Sequence, residues 1–210
     1  MGALSGGLQP TKGSVTTHPK LRVGYYSQHA VEELENLGRE DPTLTTLSHF
    51  GKHAGPEYSE QDLRGILASL GLRGNVVSEV SLASLSGGQR VRVALALALF
   101  DSPHFLILDE VTTHLDADTI IALIEELREW QGALLVVTHD RYFMRCVVEG
   151  EKVVSAAGEG SEDESSGEED DAVRPPGVVY RIMKAGLHKL EGGMNQYKAL
   201  VEKSLARRKA

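Results

Sequence analysis

The chain has 210 residues, and 41% of them are hydrophobic, which is enough for the packed core of one or two domains. The formal net charge is −8, but eight acidic residues between positions 159 and 171 account for it. The rest of the chain therefore has neither the basic excess typical of nucleic-acid binders nor a strongly acidic surface. A single cysteine, Cys146, excludes an intrachain disulfide and fits a reducing compartment. No apolar run approaches the roughly 18 residues of a membrane span, so we expect a cytoplasmic protein without a membrane partner.

The first residues place a lysine among glycines but do not form a phosphate-binding loop. Positions 3–13 are typical of a helix end followed by a turn. The phosphate-loop pattern requires Gly, four residues, and then Gly-Lys-Ser/Thr, whereas Lys12 follows Thr11 and precedes Gly13. We therefore expect the sequence to start inside a domain, beyond the position of such a loop.

The next elements are a strand and two helices. Residues 21–26 alternate as in a strand leading into a loop that contains Gln28, and residues 29–38 predict a short helix stopped by its glycine. Residues 59–62, Ser-Glu-Gln-Asp, have the form of a capping box, and an apolar face at helical spacing follows until Gly71. That apolar face predicts a contact with the core.

A glycine-rich helix start, Leu-Ser-Gly-Gly-Gln, occupies positions 85–89. Ser86, Gly87 and Gly88 can cap a helix predicted from Gln89 to Phe100, whose face is almost wholly apolar. Such a helix start presents bare backbone N–H groups and the positive end of the helix dipole, which suits a phosphate. Taken alone, these residues are more often an ordinary glycine-rich turn with a serine cap.

Two apolar runs deliver polar side chains to one edge of a predicted parallel sheet. Residues 105–108 have no polar break, as in a strand buried on both faces, and are followed directly by Asp109 and Glu110. Residues 134–137 repeat this layout and are followed by Thr138 and His139. Open α/β sheets place their ligands at the carboxyl ends of the strands. The sequence therefore predicts acid and imidazole groups in one crevice.

The composition changes after this second strand. Residues 155–176 consist mostly of Gly, Ser, Glu and Asp, which predicts a disordered acidic insertion. Residues 177–182 resume as a strand, residues 184–186 can turn it into a second strand at 187–190, and a helix with a basic tail follows. The tail is explained by a solvated helix end, and the sequence gives only weak support for an RNA contact.

Together, these elements resemble an ATP-binding-cassette (ABC) ATPase. The helix start at residues 85–89 corresponds to the signature of that family, and it is followed, in the family's order, by Walker B, the D-loop and the switch histidine. Residues 110–116, Glu-Val-Thr-Thr-His-Leu-Asp, are similar to the Glu-Pro-Thr-Asn-His-Leu-Asp string of the ABC-F class, whose members mostly act on ribosomes. Val111 and Thr113 depart from that string. Residues 139–143, His-Asp-Arg-Tyr-Phe, match the ABC-F switch. The likeness covers about residues 3–150 and 177–205, and is to the second nucleotide-binding domain of a eukaryotic ABC-F protein.

The resemblance implies an α/β fold of the P-loop NTPase type, a parallel sheet with a helical subdomain, truncated at its N-terminus because Walker A is missing. We expect residues 1–154 to form the core from Q-loop to switch histidine, with the helical subdomain at about 29–103. Residues 155–176 would be the insertion, and residues 177–210 the C-terminal hairpin and helix of the same domain.

The resemblance also implies a site for ATP and Mg²⁺, built by two ABC domains in an antiparallel pair. Asp109 would hold Mg²⁺ through water, Glu110 would orient or deprotonate the attacking water, and Gln28, the Q-loop glutamine, would contact the magnesium and sense the γ-phosphate. His139 would contact that phosphate. The remaining positions would bind nucleotide held by the partner domain or tune the interface with it: Ser86, Gly87, Gly88, Gln89 and Asp116.

Three alternatives stay open at this stage. The chain is part of an ABC-F ATPase that couples ATP hydrolysis to the ribosome or its RNA, a non-hydrolysing chain that donates its signature face to a partner ABC domain, or a fragment without function. Because the Walker A lysine is missing, we expect the chain alone to be inactive as an ATPase. The His-Asp-Arg-Tyr-Phe string disfavours a transporter subunit, and the lack of a heptad arm disfavours a coiled-coil chromosome ATPase.

Overall fold

A computed structural model describes residues 11–113, 115–152, 176–183 and 186–209, without the side chains of residues 28 and 207–209. The predicted helix end at residues 3–7, nearly all of the predicted acidic insertion and part of the hairpin turn lie outside these residues. The chain divides into two compact units, residues 1–116 with 131–138 and residues 117–130 with 139–210.

The first unit is built on a parallel three-stranded sheet. Its strands are β1 (Val23–Tyr26), β2 (Phe105–Asp109) and β3 (Ala133–Val137), in the order β1-β2-β3. Val23 lies opposite Phe105, and Phe105 lies opposite Ala133. The centre of β2 is fully buried, because a strand between two neighbours needs apolar side chains on both faces. The predicted strands are confirmed, although β1 begins two residues later than expected.

Four helices of the first unit begin at capping side chains. Ser27, Thr45, Ser59 and Ser86 each accept a hydrogen bond from a backbone N–H of the first turn that follows, which satisfies one of the N–H groups that a helix start leaves open. The capping box predicted at residues 59–62 and the helix cap predicted at Ser86 are therefore confirmed, and residues 86–89 form a second capping box that was not predicted. The helices are α1 (Gln28–Glu40), α2 (Thr46–Ala54), α3 (Glu60–Ser69), α4 (Asn75–Ser78) and α5 (Gly87–Leu99), with a 3-10 turn at Leu82–Ser84.

The prediction that α1 stops at Gly38 is wrong. The helix continues to Glu40, and Gly38 is buried where α1 meets the 3-10 turn. A Cβ at this position would overlap the backbone of Ala83 and Leu82. The glycine therefore allows two backbones to approach each other instead of ending the helix.

An aromatic cluster closes the far end of α5. The rings of Phe50 and Tyr58 each form a T-shaped pair with the ring of Phe100, with centroid distances of 5.2 and 4.8 Å. His53 makes a similar contact at 5.9 Å. His49 lies one turn earlier on α2 and is half-buried, and this burial, followed by the charges of His53 and Lys52, lowers its pKa.

The second unit contains α6 (Ala117–Glu129), α7 (Arg141–Val148), the antiparallel hairpin of β4 (Val179–Met183) and β5 (Gly186–Leu190), and α8 (Gly193–Lys209). The predicted hairpin and C-terminal helix are thus confirmed. One hairpin face packs on α8 through Val179, Leu190 and Met194, which are all buried. The other face is open, with Ile182 and Leu187 exposed at 72% and 70%. Across the described residues, no helix is both long and apolar enough to cross a bilayer.

Candidate functional site

The strands β1 and β2 end at the same edge of the sheet. They run parallel with Tyr26 opposite Leu108, so Ser27, directly after β1, comes opposite Asp109, the last residue of β2. Gln28 comes next as the first residue of α1, and the Ser27 hydroxyl caps that helix by accepting from the Ala30 N–H at 3.2 Å. The sequence predicted Gln28 in a loop, whereas the structure places it on the first turn of a helix.

Tyr25 and Asp109 interact electrostatically at this edge. Burial, and then the negative charge of Asp109, raise the pKa of the Tyr25 phenol. Burial alone raises the pKa of the neighbouring Tyr26 to about 12. Both phenols are therefore neutral at physiological pH. Asp109 itself is only partly buried, which leaves its carboxylate able to take part in ligand binding.

Glu110 turns the chain sharply away from β2. Its φ of 54° lies in the left-handed region, which non-glycine residues rarely adopt and which recurs at functional sites. Its backbone N–H donates to the carbonyl oxygen of Val137 at 2.8 Å. This bond extends the β2–β3 ladder by one step and fixes the position at which the Glu110 side chain leaves the sheet.

The segment after Glu110 is held by turns and by one hydroxyl contact. The Thr113 N–H donates to the Glu110 carbonyl at 3.2 Å, and the hydroxyls of Thr112 and Thr138 lie 3.4 Å apart. Val111, which departs from the ABC-F string, is fully buried, so an apolar side chain fills the place of the family's proline. Asp116 at the end of the segment is exposed.

The glycine-rich helix start at residues 86–89 forms a complete capping box. The Gln89 N–H donates to the Ser86 hydroxyl at 3.2 Å, and the Ser86 N–H donates to the Gln89 side-chain oxygen at 2.8 Å. The amides of Gly87 and Gly88 are the first two of α5 and have no acceptor within the helix. These two N–H groups, together with the helix dipole, make the start of α5 suitable for an anion.

The signature residues and the carboxylates stand on different elements of the first unit, the start of α5 and the carboxyl end of β2. The last turn of α5 contacts β1, where a Cβ on Gly24 would overlap the Ala98 carbonyl oxygen. With a rise of 1.5 Å per residue, Ser86 lies about 18 Å along α5 from Ala98. The first unit therefore presents two chemically different surfaces, a helix start that suits an anion and a sheet edge that carries carboxylates.

His139 follows Thr138 directly and is the first residue of the second unit after β3. The next residue, Asp140, caps α7 by accepting from the Phe143 N–H at 3.0 Å, and Phe143 is fully buried. Arg141 then stacks on the Tyr197 ring of α8, 5.6 Å from its centroid. The His-Asp-Arg-Tyr-Phe string thus anchors the start of α7 within its own unit.

The carboxylate at the edge of the sheet fits a magnesium ion whose other ligands come mostly from a nucleotide. Among the described residues, no group of three or more His, Cys, Asp or Glu could hold a metal by itself. Mg²⁺ in phosphoryl-transfer sites typically takes one or two protein ligands and completes its shell with phosphates and water. A single partly buried carboxylate at Asp109, next to the helix that begins at Gln28, meets that requirement.

Sequence reasoning missed several residues that shape these surfaces. The sequence placed Tyr25 only in a strand. Because successive side chains of a strand point to opposite faces, only one of Tyr25 and Tyr26 can share a face with Asp109, and that residue is Tyr25. The contact between Thr112 and Thr138 joins positions 26 residues apart and has no local signal. The reciprocal bond of Gln89 to Ser86 follows the Ser-x-x-Gln pattern and was open to prediction.

Comparison with known proteins agrees with these features. Residues 1–113 match the family described as "ABC transporter". An ABC transporter F family member 3 from Arabidopsis thaliana is 40% identical over 152 residues, which cover 72% of this chain and 20% of the relative. The human ATP-binding cassette sub-family F member 3 is 33% identical over 204 residues, which cover 97% of this chain and 24% of that protein. The chain thus spans a fifth to a quarter of the length of these relatives.

A solved structure shows the same fold. It is the complex of an archaeal ribosome recycling factor with a ribosomal stalk protein, and the match covers 95% of this chain and 34% of that one, with 20% identity and a TM-score of 0.53. The likeness confirms the expected parallel sheet with helices of an ABC ATPase. The chain belongs to the ABC transporter family, as part of a nucleotide-binding domain of the ABC-F class.

Proposed function

We propose that the chain serves as the nucleotide-binding part of an ABC-F ATPase that binds ATP with Mg²⁺ between paired ABC domains and couples its hydrolysis to the ribosome. The observation that carries this proposal is the capped start of α5. Ser86 and Gln89 satisfy each other, so the two glycine amides between them are held open toward an anion. The ribosomal coupling rests on the ABC-F resemblance.

The carboxylate edge would supply the chemistry of phosphoryl transfer to water. Asp109 would bind Mg²⁺ through water, which neutralises charge on the phosphates. Glu110 would orient or deprotonate the attacking water, and its fixed backbone would limit the positions that its carboxylate can take. Gln28 would sense the γ-phosphate, and His139 would contact it. Such catalysis depends mainly on positioning and on charge stabilisation.

A second candidate is that the chain donates its signature face and does not hydrolyse ATP itself. The observation that favours it is the intact capping box with open glycine amides at residues 86–89, the part of the chain that such a role would use. A composite site on a partner domain would need only Ser86, Gly87, Gly88 and Asp116 from this chain. We expect no ATP turnover above background by the chain alone, and turnover that Glu110→Gln abolishes would contradict the donor role.

Association with a partner domain tests the function common to both candidates. The chain is mixed with an intact ABC-F domain whose own catalytic glutamate is changed to glutamine so that ATP persists, and the mixture is sedimented with and without ATP. We expect a complex only with ATP, because the nucleotide fills the space between the two surfaces.

Two substitutions at Ser86 make the test specific. Asparagine and aspartate both cap helices about as well as serine, so neither Ser86→Asn nor Ser86→Asp should unfold α5. Aspartate adds a negative charge where the γ-phosphate would approach, and it should abolish association, whereas the asparagine variant should retain it. A complex that forms without ATP, or that is indifferent to the aspartate, would reject the proposal.

A further inference from the structure

A chain of three charged side chains joins α1 to the helix that carries the signature residues. Arg90, on the first turn of α5 after Gln89, places its Nη2 atom 3.4 Å from Glu35 Oε2 on α1. Arg39 pairs with the other oxygen of the same carboxylate. The Arg90 side chain is 15% exposed and that of Glu35 is 30% exposed, so their contact is largely shielded from water. Shielding of this kind makes an ion pair stronger than the usual surface pair.

Arg90 also closes over the signature segment itself. Its Nη1 atom donates to the carbonyl oxygen of Ala83 at 3.1 Å, and its backbone N–H donates to the Ser86 carbonyl at 3.0 Å. The guanidinium therefore contacts the 3-10 turn before the signature while its backbone belongs to the helix after it. A movement of Arg90 would shift both sides of residues 86–89 together.

α1 is pressed against the same turn. A side chain at Gly38 would overlap the backbone of Ala83 and Leu82, so the helix and the turn are in close backbone contact. Gln28 begins α1, and Glu35 lies two turns later, about 10 Å along its axis. The helix thus forms a short rigid connection between the position of Gln28 and the carboxylate that holds Arg90.

We propose that Glu35 and Arg90 are a positioning pair, which transmits a displacement of Gln28 on nucleotide binding to the signature residues and sets the orientation of the Gly87 and Gly88 amides. The inference rests on the proposed function, because it assigns Gln28 to one nucleotide and residues 86–89 to the other. Neither side chain touches nucleotide in this scheme. Their role is to couple the two surfaces, which stand on different elements of the first unit.

Two substitutions that act on the same carboxylate separate coupling from simple stabilisation. Glu35→Gln removes the charge that faces α5, whereas Arg39→Gln removes only the partner within α1. We expect Glu35→Gln to weaken the ATP-dependent complex by about fivefold or more, a typical size for coupling between sites. Arg39→Gln should stay within about twofold, since an exposed pair one turn apart on a helix contributes little. Glu35→Gln should lower the thermal midpoint somewhat more than Arg39→Gln, because it also removes the partner of the largely shielded Arg90.

A charge exchange and an exchange-rate measurement complete the experiment. The double variant Glu35→Arg with Arg90→Glu restores the pair in reverse and should recover most of the lost association. Hydrogen–deuterium exchange at the hydrogen-bonded amides of Ser86 and Gln89 should accelerate in Glu35→Gln and return in the double variant, while α3 remains unchanged. Equal effects of Glu35→Gln and Arg39→Gln, or a loss of association that follows the loss of thermal stability in proportion, would overturn the inference.

The exchange measurement also separates this inference from the proposed function. If the unmodified chain forms no ATP-dependent complex, the proposed function fails. Faster exchange at the Ser86 and Gln89 amides in Glu35→Gln, but not in Arg39→Gln, would still support control of the signature by the pair. Identical exchange in the two variants would reject the pair even where the association test succeeds.

Discussion

Glu110 donates its backbone N–H to the carbonyl of Val137 while its own φ is 54°. One residue thus both extends the sheet ladder and makes the turn that leaves it. The ladder requires the peptide to face β3, and the turn requires a left-handed conformation that costs an L-residue roughly 1 to 2 kcal/mol. The surrounding packing, including the fully buried Val111, compensates for this strain.

Comparison of Glu110→Gly with Glu110→Ala measures the strain directly. Both variants lose the carboxylate and its interactions, but glycine adopts a positive φ without steric cost. We expect the glycine variant to be more stable than the alanine variant by about 1 kcal/mol, measured as the free energy of unfolding in urea. Equal stabilities, or a more stable alanine variant, would show that the left-handed turn is not strained.

The interaction of Tyr25 with Asp109 predicts a change in a phenol titration. Burial contributes most to the raised pKa of Tyr25, and the Asp109 charge contributes next. Asp109→Asn should therefore lower the pKa of Tyr25 while leaving it above its ordinary value. Carbon-13 NMR of the Tyr25 ring against pH measures this. Asp41→Asn, which removes an exposed carboxylate at the end of α1, is the control and should leave the titration unchanged.

The close approach at Gly38 predicts opposite effects for two similar substitutions. Gly38→Ala adds a methyl group against the backbone of Ala83 and Leu82 and should destabilise the chain by about 1 to 3 kcal/mol. Gly65→Ala, on the exposed side of α3 with nothing near the added carbon, should stabilise it by about 0.5 to 1 kcal/mol. Chemical denaturation checks both signs, and a harmless Gly38→Ala would contradict the packing of α1 on the 3-10 turn.

His49 predicts a loss of stability in mild acid. Its pKa is lowered in the folded state by burial, and then by the charges of His53 and Lys52, so the unfolded chain binds the proton more tightly. As the pH falls from about 7.5 through the unfolded value near 6.5, the unfolded state gains protons first and stability declines until the folded pKa is passed.

Substitution of His49 should remove that part of the decline. We expect the thermal midpoint of His49→Gln to fall less than that of the unmodified chain between about pH 7.5 and about pH 5.5. His53→Gln keeps His49 but removes one of the two nearby charges, and it should give an intermediate slope. Parallel curves for all three proteins would exclude His49 as the cause.

Features encoded within a few residues could be predicted from the sequence. The buried centre of β2 follows from a run without a polar break, and the cap at Ser59 follows from its spacing to Asp62, because both depend on local geometry. The order of the Walker B acids and the switch histidine sufficed to predict the ABC fold. These predictions needed no knowledge of which distant segments meet.

Features that depend on a distant partner could not be predicted. A glycine within ten residues of a helix start is usually a stop signal, and only the backbone of Ala83 shows why α1 passes through Gly38. The contact between Glu35 and Arg90 joins two helices 55 positions apart, and each residue alone has the pattern of a solvated charge. The left-handed φ of Glu110 likewise accompanies a bond to the distant Val137, and its residue type gives no signal of it.

The capping box at residues 86–89 bears on how the motif persists through evolution. Ser86 and Gln89 bond to each other's backbone, so selection for a stable α5 is enough to retain both, even in a descendant that no longer meets ATP. Gly87 and Gly88 have no such duty, and many residues would serve equally well at the first two positions of a helix. Suppose that a lineage of this chain replaces the two glycines but keeps the serine and the glutamine. Such a lineage would have lost the closure of the signature over nucleotide while retaining the fold.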